Sequence, residues 1–256
     1  MSIETFEHGP IREIRLARPP VNALDTALCR ALSGAVAQAQ ADGAAAIVLS
    51  GGERVFSGGL DVPHLLAHGD DRARLLESWN AFFEAAQALA GSAIPVVAAI
   101  GGHAPAGGCV LALCCDYRIM AHSPDPARPH AIGLNEVQVG LIAPEGIQRL
   151  LRRVVGPRLA ERLLVTGELV PAERAAQIGL VDELVDGASV VARAVAWLQT
   201  LLALPRAPML ATRAIARADL IEALRPALIQ LERFVDGWYG ADAQRALHAL
   251  GQRLKK

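Results

Sequence analysis

Two kinds of hydrophobic pattern divide the chain. Apolar and polar residues alternate over residues 3–5 and 11–16, on either side of the turn at 8–10, which predicts a β-hairpin. Continuous apolar runs at 46–49 and 96–100 predict short buried strands. A glycine-bearing loop and a helical run follow each of these strands. This order of strand, loop and helix indicates an α/β fold.

Capping residues and prolines place the remaining elements. Asp25 predicts the N-cap of a helix that ends near Ala41, and three prolines make residues 122–129 a loop. From Glu145 onward the pattern is mostly helical. Further helices are expected over residues 71–90 and 107–115, and further strands over 116–121 and 180–185.

The domain organisation follows from where the helical pattern takes over. We expect a core region over residues 1–197 and a C-terminal helical region over residues 198–256. Leucines at helical spacing in the second region could either join subunits or cover the protein's own core. They are Leu220, Leu224, Leu228 and Leu231.

Composition narrows the classes of function. The formal net charge is −1, and this balance argues against a dedicated nucleic-acid surface. No apolar run approaches the ~20 residues that span a membrane. The N-terminal residues also lack an apolar signal stretch. We therefore expect a cytoplasmic protein that contacts neither nucleic acid nor a membrane.

The cysteines and histidines do not show the spacing of metal ligands. Cys29, Cys109, Cys114 and Cys115 lie within apolar stretches, so we interpret them as reduced core thiols. His64 and His68 are one helical turn apart, but no third ligand is in view. The sequence therefore predicts no metal site.

Two glycine loops are candidates for binding a carbonyl oxygen. They comprise residues 56–61 and 101–108, and each lies between a predicted strand and a helix. Such loops expose backbone N–H groups, and two of these groups aimed at one point form an oxyanion hole. Each loop taken alone favours an ordinary tight turn.

Glu136 is the candidate acid/base. It lies among apolar neighbours in the segment 132–140. Burial there would raise the pKa of its carboxyl group and make it a better proton acceptor at neutral pH. The segment alone also allows a glutamate at the end of an element with its carboxylate in water.

Four motifs in this order resemble the enoyl-CoA hydratase/isomerase (crotonase) family over essentially the whole chain. They are RPPVNAL (18–24), FSGGLD (56–61), PAGGCVLALCCDYRIMA (105–121) and IGLNEVQVGLIAP (132–144). The last two are most similar to the mitochondrial-type Δ3,Δ2-enoyl-CoA isomerase subfamily. The resemblance implies a spiral of ββα units with a C-terminal α-helical trimerisation region, assembled as a homotrimer or hexamer.

The resemblance also implies roles for particular residues. The N–H groups of Gly58 and Gly107 would hold the thioester carbonyl, and Glu136 would transfer the proton. Coenzyme A would be part of the substrate, so no separate cofactor is expected. The acyl-CoA site would be lined by Asn22, Ala23, Leu24, Gly58, Gly59, Leu60, Asp61, Val62, Gly107 and Asn135.

Val110 decides the expected reaction. Hydratases of this family place a second glutamate there, and valine can neither bind water nor move a proton. Isomerisation of a 3-enoyl-CoA needs one base that reaches two carbons. The sequence therefore favours a Δ3,Δ2-enoyl-CoA isomerase that serves fatty-acid β-oxidation.

Glu145 leaves alternatives open. If it enters the pocket as a second acid, the protein would be an enoyl-CoA hydratase or a dienoyl-CoA isomerase. It could equally begin a helix, where a carboxylate is favoured by the dipole. A non-catalytic CoA- or RNA-binding relative is the remaining alternative, and both the charge balance and Glu136 argue against RNA.

Overall fold

The structure, a computed structural model, describes residues 2–254 of the chain. Residue 1, where the first predicted region begins, and residues 255–256, where the second ends, lie outside the described residues. The strands in chain order are β1 (Ile3–His8), β2 (Ile11–Leu16), β3 (Ala46–Ser50), β4 (Val96–Ile100), β5 (Ala104–Pro105), β6 (Tyr117–Ala121), β7 (Ala131–Gly133), β8 (Val170–Pro171) and β9 (Glu183–Val185).

Helices follow most of the strands, and several more end the chain. In chain order they are α1 (Thr26–Ala41), α2 (Val62–Leu66), α3 (Arg72–Ala90), α4 (Gly107–Leu113), α5 (Glu145–Val155), α6 (Pro157–Thr166), α7 (Ala172–Gln177), α8 (Val190–Leu202), α9 (Arg206–Ala216), α10 (Ala218–Ala223), α11 (Pro226–Ile229), α12 (Leu231–Trp238) and α13 (Ala241–Leu254). Short 3₁₀ turns occupy Glu136–Val139 and Gly187–Ser189.

The main sheet has the strand order β1-β2-β3-β4-β6-β9. The predicted hairpin of β1 and β2 is confirmed, and every later neighbour in this sheet pairs in parallel. Strands β3 and β4 are buried along their whole length, since parallel strands are covered on both faces. A second sheet has the order β5-β7-β8. The structure thus confirms the predicted α/β architecture.

Helices cover both faces of the main sheet. On one face, α1, α3, α4 and α5 contribute to a large apolar core. On the other face, α8 packs Val190, Ala194 and Leu198 against β3, β4 and β6. The sheet is therefore the middle of three layers, and the ends of its strands remain available for a site.

The predicted helix cap at Asp25 is confirmed, and Asp61 caps the short helix α2 in the same way. The Asp25 side chain accepts from the Leu28 N–H at 2.8 Å at the start of α1, and Asp61 accepts from the His64 N–H at 2.9 Å at the start of α2. The strand expected over residues 180–185 begins later, at Glu183. The N–H groups of Leu180 and Val181 bond back to the end of α7 instead.

The C-terminal helices fold back on the body of the same chain. Helix α10 contacts α5, α12 contacts α3, and α13 contacts α2. Leu220 and Leu224 are buried in the protein's own core. Helix α8 runs through the predicted boundary at residue 198 and ends at Leu202. The division into two regions and the trimeric or hexameric assembly stay predictions.

Hydropathy and the cysteines agree with a buried core. Within residues 2–254, no single helix has the length and apolarity needed to cross a membrane. Helices α8 and α9 together would suffice, but they are bent by 111° relative to each other.

All four cysteines are free and buried. Burial raises the pKa of the Cys29 and Cys114 thiols to about 12, so these thiols stay protonated at neutral pH.

A buried charge cluster joins α9 and the residue after it to the sheet. Asp116 accepts from the Arg213 Nε at 2.8 Å, from an Arg217 guanidinium nitrogen at 2.9 Å and from the Val96 N–H at 2.7 Å. Arg217 also donates to the Cys114 carbonyl at 2.7 Å. Because these groups are largely removed from water, each depends on the others for its hydrogen bonds.

We expect Asp116→Ala to lower the free energy of unfolding by about 3–5 kcal/mol, because it leaves two largely buried guanidinium groups without their counterion. Asp242→Ala is the control, since it removes Arg245's partner in an exposed pair. The control should cost less than about 1 kcal/mol. Urea unfolding followed by circular dichroism measures both. Equal small losses would contradict this role for Asp116.

Candidate active site

The two glycine loops lie side by side because they follow neighbouring parallel strands. The first loop leaves β3 and the second leaves β4 at the same edge of the sheet. The His103 N–H donates to the Arg54 carbonyl at 2.9 Å, and the Phe56 N–H donates to the His103 carbonyl at 2.9 Å. The His103 ring accepts from the Ala131 N–H at 3.2 Å, so this side chain is used in a hydrogen bond to the backbone.

Asn22 stabilises the first loop from the segment before α1. It has a φ of +49°, which is uncommon for a residue with a Cβ. Its buried side chain donates to the Phe56 carbonyl at 3.0 Å and accepts from the Arg18 N–H at 2.8 Å. Neither Asn22 nor its neighbours Ala23 and Leu24 line the cavity described below. Their contact with the acyl-CoA, which the resemblance implies, stays a prediction.

Arg18 attaches the end of the first loop to α1. Its guanidinium donates to Asp61 Oδ2 at 2.7 Å and pairs with Asp25 Oδ2 at 3.0 Å. Asp61 is thus used for capping α2 and binding Arg18, and it does not line the cavity. Gly59 has a φ of +84° and lies behind the cavity wall, where a Cβ would come within 3.2 Å of the Gly107 nitrogen.

The structure corrects the predicted donor in the first loop. The Gly58 N–H donates to the Val21 carbonyl at 2.7 Å, so it is not free to bind a carbonyl oxygen. Leu60 instead pairs with Leu24 in an isolated parallel β-bridge. In this bridge the Leu24 N–H donates to the Gly59 carbonyl, and the Asp61 N–H donates to the Leu24 carbonyl. In a parallel ladder, the N–H between two such groups points to the opposite side. The Leu60 N–H therefore faces away from Leu24.

Gly107 presents the second free N–H. It is the first residue of α4, where N–H groups have no acceptor inside the helix. The preceding Ala106 has φ +47° and ψ −118°, a strained conformation of the kind that concentrates at functional sites. Within residues 2–254, neither the Leu60 nor the Gly107 N–H has a hydrogen-bond partner. A Cβ on Gly107 would lie 2.8 Å from Leu60 Cδ2, so the two residues are in direct contact.

Glu136 reaches the same place through the second sheet. Strand β5 pairs with β7, and the Ala106 N–H donates to the Gly133 carbonyl at 2.8 Å. The 3₁₀ turn that begins at Glu136 follows β7 directly. Burial raises the pKa of Glu136 to about 7, although its own backbone N–H partly opposes the shift. Although the residue as a whole is half-buried, this shift supports the desolvated carboxylate over the solvated one.

An apolar cavity of about 270 Å³ joins these groups. Of the predicted substrate-binding residues, it is lined by Gly58, Leu60, Val62, Gly107 and Asn135, together with Glu136. Val110 of α4 also faces it, so the position that would hold a hydratase's second glutamate is apolar. Among the described residues that line this cavity, Glu136 is the sole acid.

Aromatic residues form the far wall of the cavity. Trp79, Phe82 and Phe83 of α3 are buried and line it, so they are core and cavity wall at once. Sequence reasoning missed Phe234 and Trp238 of α12 and Leu247 and Leu250 of α13. The spacing of Phe234 and Trp238 predicts one apolar helix face. No local signal indicates that this face closes a cavity that also contains Glu136, which precedes Phe234 by nearly 100 residues.

The structure places Glu145 outside the cavity. It is the exposed first residue of α5 and pairs with Arg149 one turn later, at 2.6 Å. A carboxylate in the first turn is favoured by the helix dipole, which accounts for this position. Glu145 as a second acid in the pocket is therefore wrong for this structure.

No metal centre accompanies the site in the part of the chain that the structure describes. Within residues 2–254, no group of three or more His, Cys, Asp or Glu side chains could hold a metal ion. The His64 and His68 rings lie 4.8 Å apart, and His68 Nε2 bonds to the Ser78 hydroxyl at 3.0 Å. The pair thus packs between α2 and α3 beside the cavity.

The fold and the site together define a class: an α/β protein whose cavity combines a buried carboxylate with two free backbone N–H groups. Residues 7–245 match the family model described as enoyl-CoA hydratase/isomerase. The chain belongs to the enoyl-CoA hydratase/isomerase family.

Individual relatives agree with this assignment. The chain is 34% identical to human mitochondrial enoyl-CoA delta isomerase 1, over 99% of this chain and 83% of that protein. It is also 34% identical to a probable enoyl-CoA hydratase from Mycobacterium avium, over 78% of this chain and 75% of that protein. A crystal structure of human mitochondrial Δ3-Δ2-enoyl-CoA isomerase has a TM-score of 0.91 at 31% identity and covers 100% of this chain and 98% of that chain. The predicted crotonase-like fold is confirmed.

We expect Glu136→Gln to stabilise the protein at pH 8. Since burial raises the pKa from 4.5 to about 7, ionising Glu136 costs the folded state roughly 3 kcal/mol once both states are charged. Stability is lost as the pH rises from 4.5 toward 7, because the folded state then binds more protons than the unfolded state. The advantage of the variant should therefore shrink toward zero near pH 4.

Urea unfolding at both pH values measures this difference. Glu84→Gln is the control, because Glu84 is exposed on α3, and it should change stability by less than about 0.5 kcal/mol. A Glu136→Gln variant that is no more stable than the wild type at pH 8 would show that the carboxylate is solvated.

Proposed function

We propose that the protein is a Δ3,Δ2-enoyl-CoA isomerase, which moves the double bond of a 3-enoyl-CoA to the 2-trans position. The observation that best supports this proposal is a single buried carboxylate, Glu136, in an apolar cavity that also contains the Leu60 and Gly107 N–H groups. The resemblance to proteins named enoyl-CoA delta isomerase over nearly the whole chain agrees with it.

The proposed reaction uses these groups in two proton transfers. The Leu60 and Gly107 N–H groups bind the thioester oxygen. The Glu136 carboxylate removes a proton from C2, and the electron pair spreads through the thioester and the double bond as a dienolate. The N–H groups stabilise the developing charge on oxygen. Protonated Glu136 then donates the same proton to C4, which leaves the double bond between C2 and C3.

The environment of Glu136 suits this role. A pKa of about 7 lets the group accept and return a proton near neutral pH with little free-energy difference between its two states. Val110 and the aromatic wall exclude water that would otherwise add to the 2-enoyl product or protonate the dienolate. With Glu145 in solvent, the cavity offers no second acid for hydration.

Glu136→Gln should lower kcat on a 3-enoyl-CoA by at least about 10²–10⁴-fold, since the amide cannot accept the C2 proton. The Kd for a saturated acyl-CoA should change little, because the amide keeps the shape of the side chain. In the wild type, kcat/KM should rise with pH and level off above about 7, as the carboxylate loses its proton. Retained turnover in the variant would remove Glu136 from the mechanism.

A comparison of two substrates tests the reaction class. Wild-type protein is given a 3-enoyl-CoA and a 2-trans-enoyl-CoA of equal chain length, and the absorbance of the conjugated enoyl thioester is followed. We expect the signal to appear quickly with the first substrate and to be lost negligibly with the second. Fast hydration of the 2-enoyl-CoA would contradict the isomerase and favour a hydratase.

Gly59→Ala should reduce kcat by about 10²–10³-fold, the usual effect of losing one oxyanion donor, because its Cβ would press on the Gly107 nitrogen at 3.2 Å. Gly43→Ala is a matched control. Its φ of +82° resembles the +84° of Gly59, but a Cβ there meets no atom within 4 Å. Both variants should lose about 1–2 kcal/mol of stability to backbone strain. Equal activity in the two would contradict the assignment of Gly107.

A further inference from the structure

We infer that Phe234 ends the acyl cavity and sets the longest acyl chain that the protein accepts. This inference rests on the proposed function, since it assumes that the cavity receives an acyl chain. It concerns the place where the cavity meets an outer groove, and it identifies the preferred substrates as those whose chains stop before the Phe234 ring.

The Phe234 ring separates two spaces. It lines both the cavity of about 270 Å³ and an outer groove of about 480 Å³, and Pro144 is the other residue shared by the two. Phe234 is 8% exposed. Its ring packs edge-on against Trp79 with the centroids 4.5 Å apart. The ring therefore fills the position where an extending chain would pass from the cavity into the groove.

Helix α12 is held over the cavity from both ends. Gln230, which precedes it, has a φ of +48°, and this left-handed residue reverses the chain between α11 and α12. Arg72 at the start of α3 pairs with Glu232 at 2.6 Å and with Asp236 at 2.9 Å. These exposed ion pairs add to the packing of Phe234 and Trp238 against Trp79, which gives the Phe234 ring a defined position.

Because the cavity lining is apolar, the affinity for an acyl-CoA should depend on the length of its acyl chain. Each methylene that moves from water into the cavity should tighten binding about fourfold. A methylene that reaches the Phe234 ring meets a packed aromatic wall and gains nothing, because the ring must move away from Trp79 to admit it. Affinity should therefore rise with length to a break and then level off or fall.

Without the ring, the outer groove can take the additional carbons. It has apolar residues such as Ile142, Leu228 and Ile229 along its wall, with Arg233 beside them. Removing the ring connects this groove to the cavity. The break should then move to longer chains, while the affinity for chains that end before Phe234 changes little.

Isothermal titration calorimetry with saturated straight-chain acyl-CoAs, from butanoyl to hexadecanoyl, tests the inference on wild type, Phe234→Ala and Phe234→Leu. We expect the break at longer chains in Phe234→Ala and at an intermediate length in Phe234→Leu, which keeps more of the packing if the alanine variant fails to fold. Phe6→Ala is the matched control, because Phe6 lies on β1 and is 38% exposed. Its break should equal that of the wild type.

The outcomes separate this inference from the proposed function. Saturated acyl-CoAs cannot isomerise, so the break is measured without turnover. The same break in the wild type and in both Phe234 variants, or no break in the wild type, would overturn the inference even if 3-enoyl-CoAs are isomerised. A break that moves as expected in a protein without isomerase activity would overturn the proposed function alone.

Discussion

The candidate site depends on backbone hydrogen bonds between loops that leave different strands. His103 bonds to the loop after β3 through both its N–H and its carbonyl, and the Ala106 N–H bonds to the Gly133 carbonyl at the end of β7. These bonds bring together three segments that are more than 25 residues apart in sequence. As a result, Leu60, Gly107 and Glu136 line one cavity, although they lie far apart in the sequence.

Two features of this site are unfavourable for stability and useful for proton transfer. Glu136 lies in an apolar cavity without a basic partner, so its charged form is costly. Ala106 has a positive φ, which costs of order 1–3 kcal/mol and orients the start of α4. Such local costs are sustained by the surrounding core, and they are typical of functional rather than structural positions.

The C-terminal helices complete the site as well as the fold. Arg213 and Arg217 attach α9 and its end to Asp116, and Arg72 attaches α12 to α3. Phe234 and Trp238 of α12 pack edge-on against Trp79 of α3, and these rings close the cavity that the core region leaves open. Packing in the last third of the chain therefore affects the shape of a site whose polar groups all precede Gly140.

The sequence by itself determined most of the elements and indicated the family. Alternation, apolar runs and caps are local, so they placed the hairpin, the buried strands, the helix after Asp25 and the helix over residues 71–90. The order of four motifs indicated the family, and the apolar neighbours of Glu136 indicated a raised pKa.

Tertiary structure alone decided which groups meet. The direction of an N–H in the first loop depends on the bridge between Leu60 and Leu24, so the donor role that the resemblance implied for Gly58 was wrong. Glu145 was separated from the cavity by its place on the outer side of α5. The aromatic residues that sequence reasoning missed came from α12, because packing between distant helices follows from the whole core and not from the pattern of either helix.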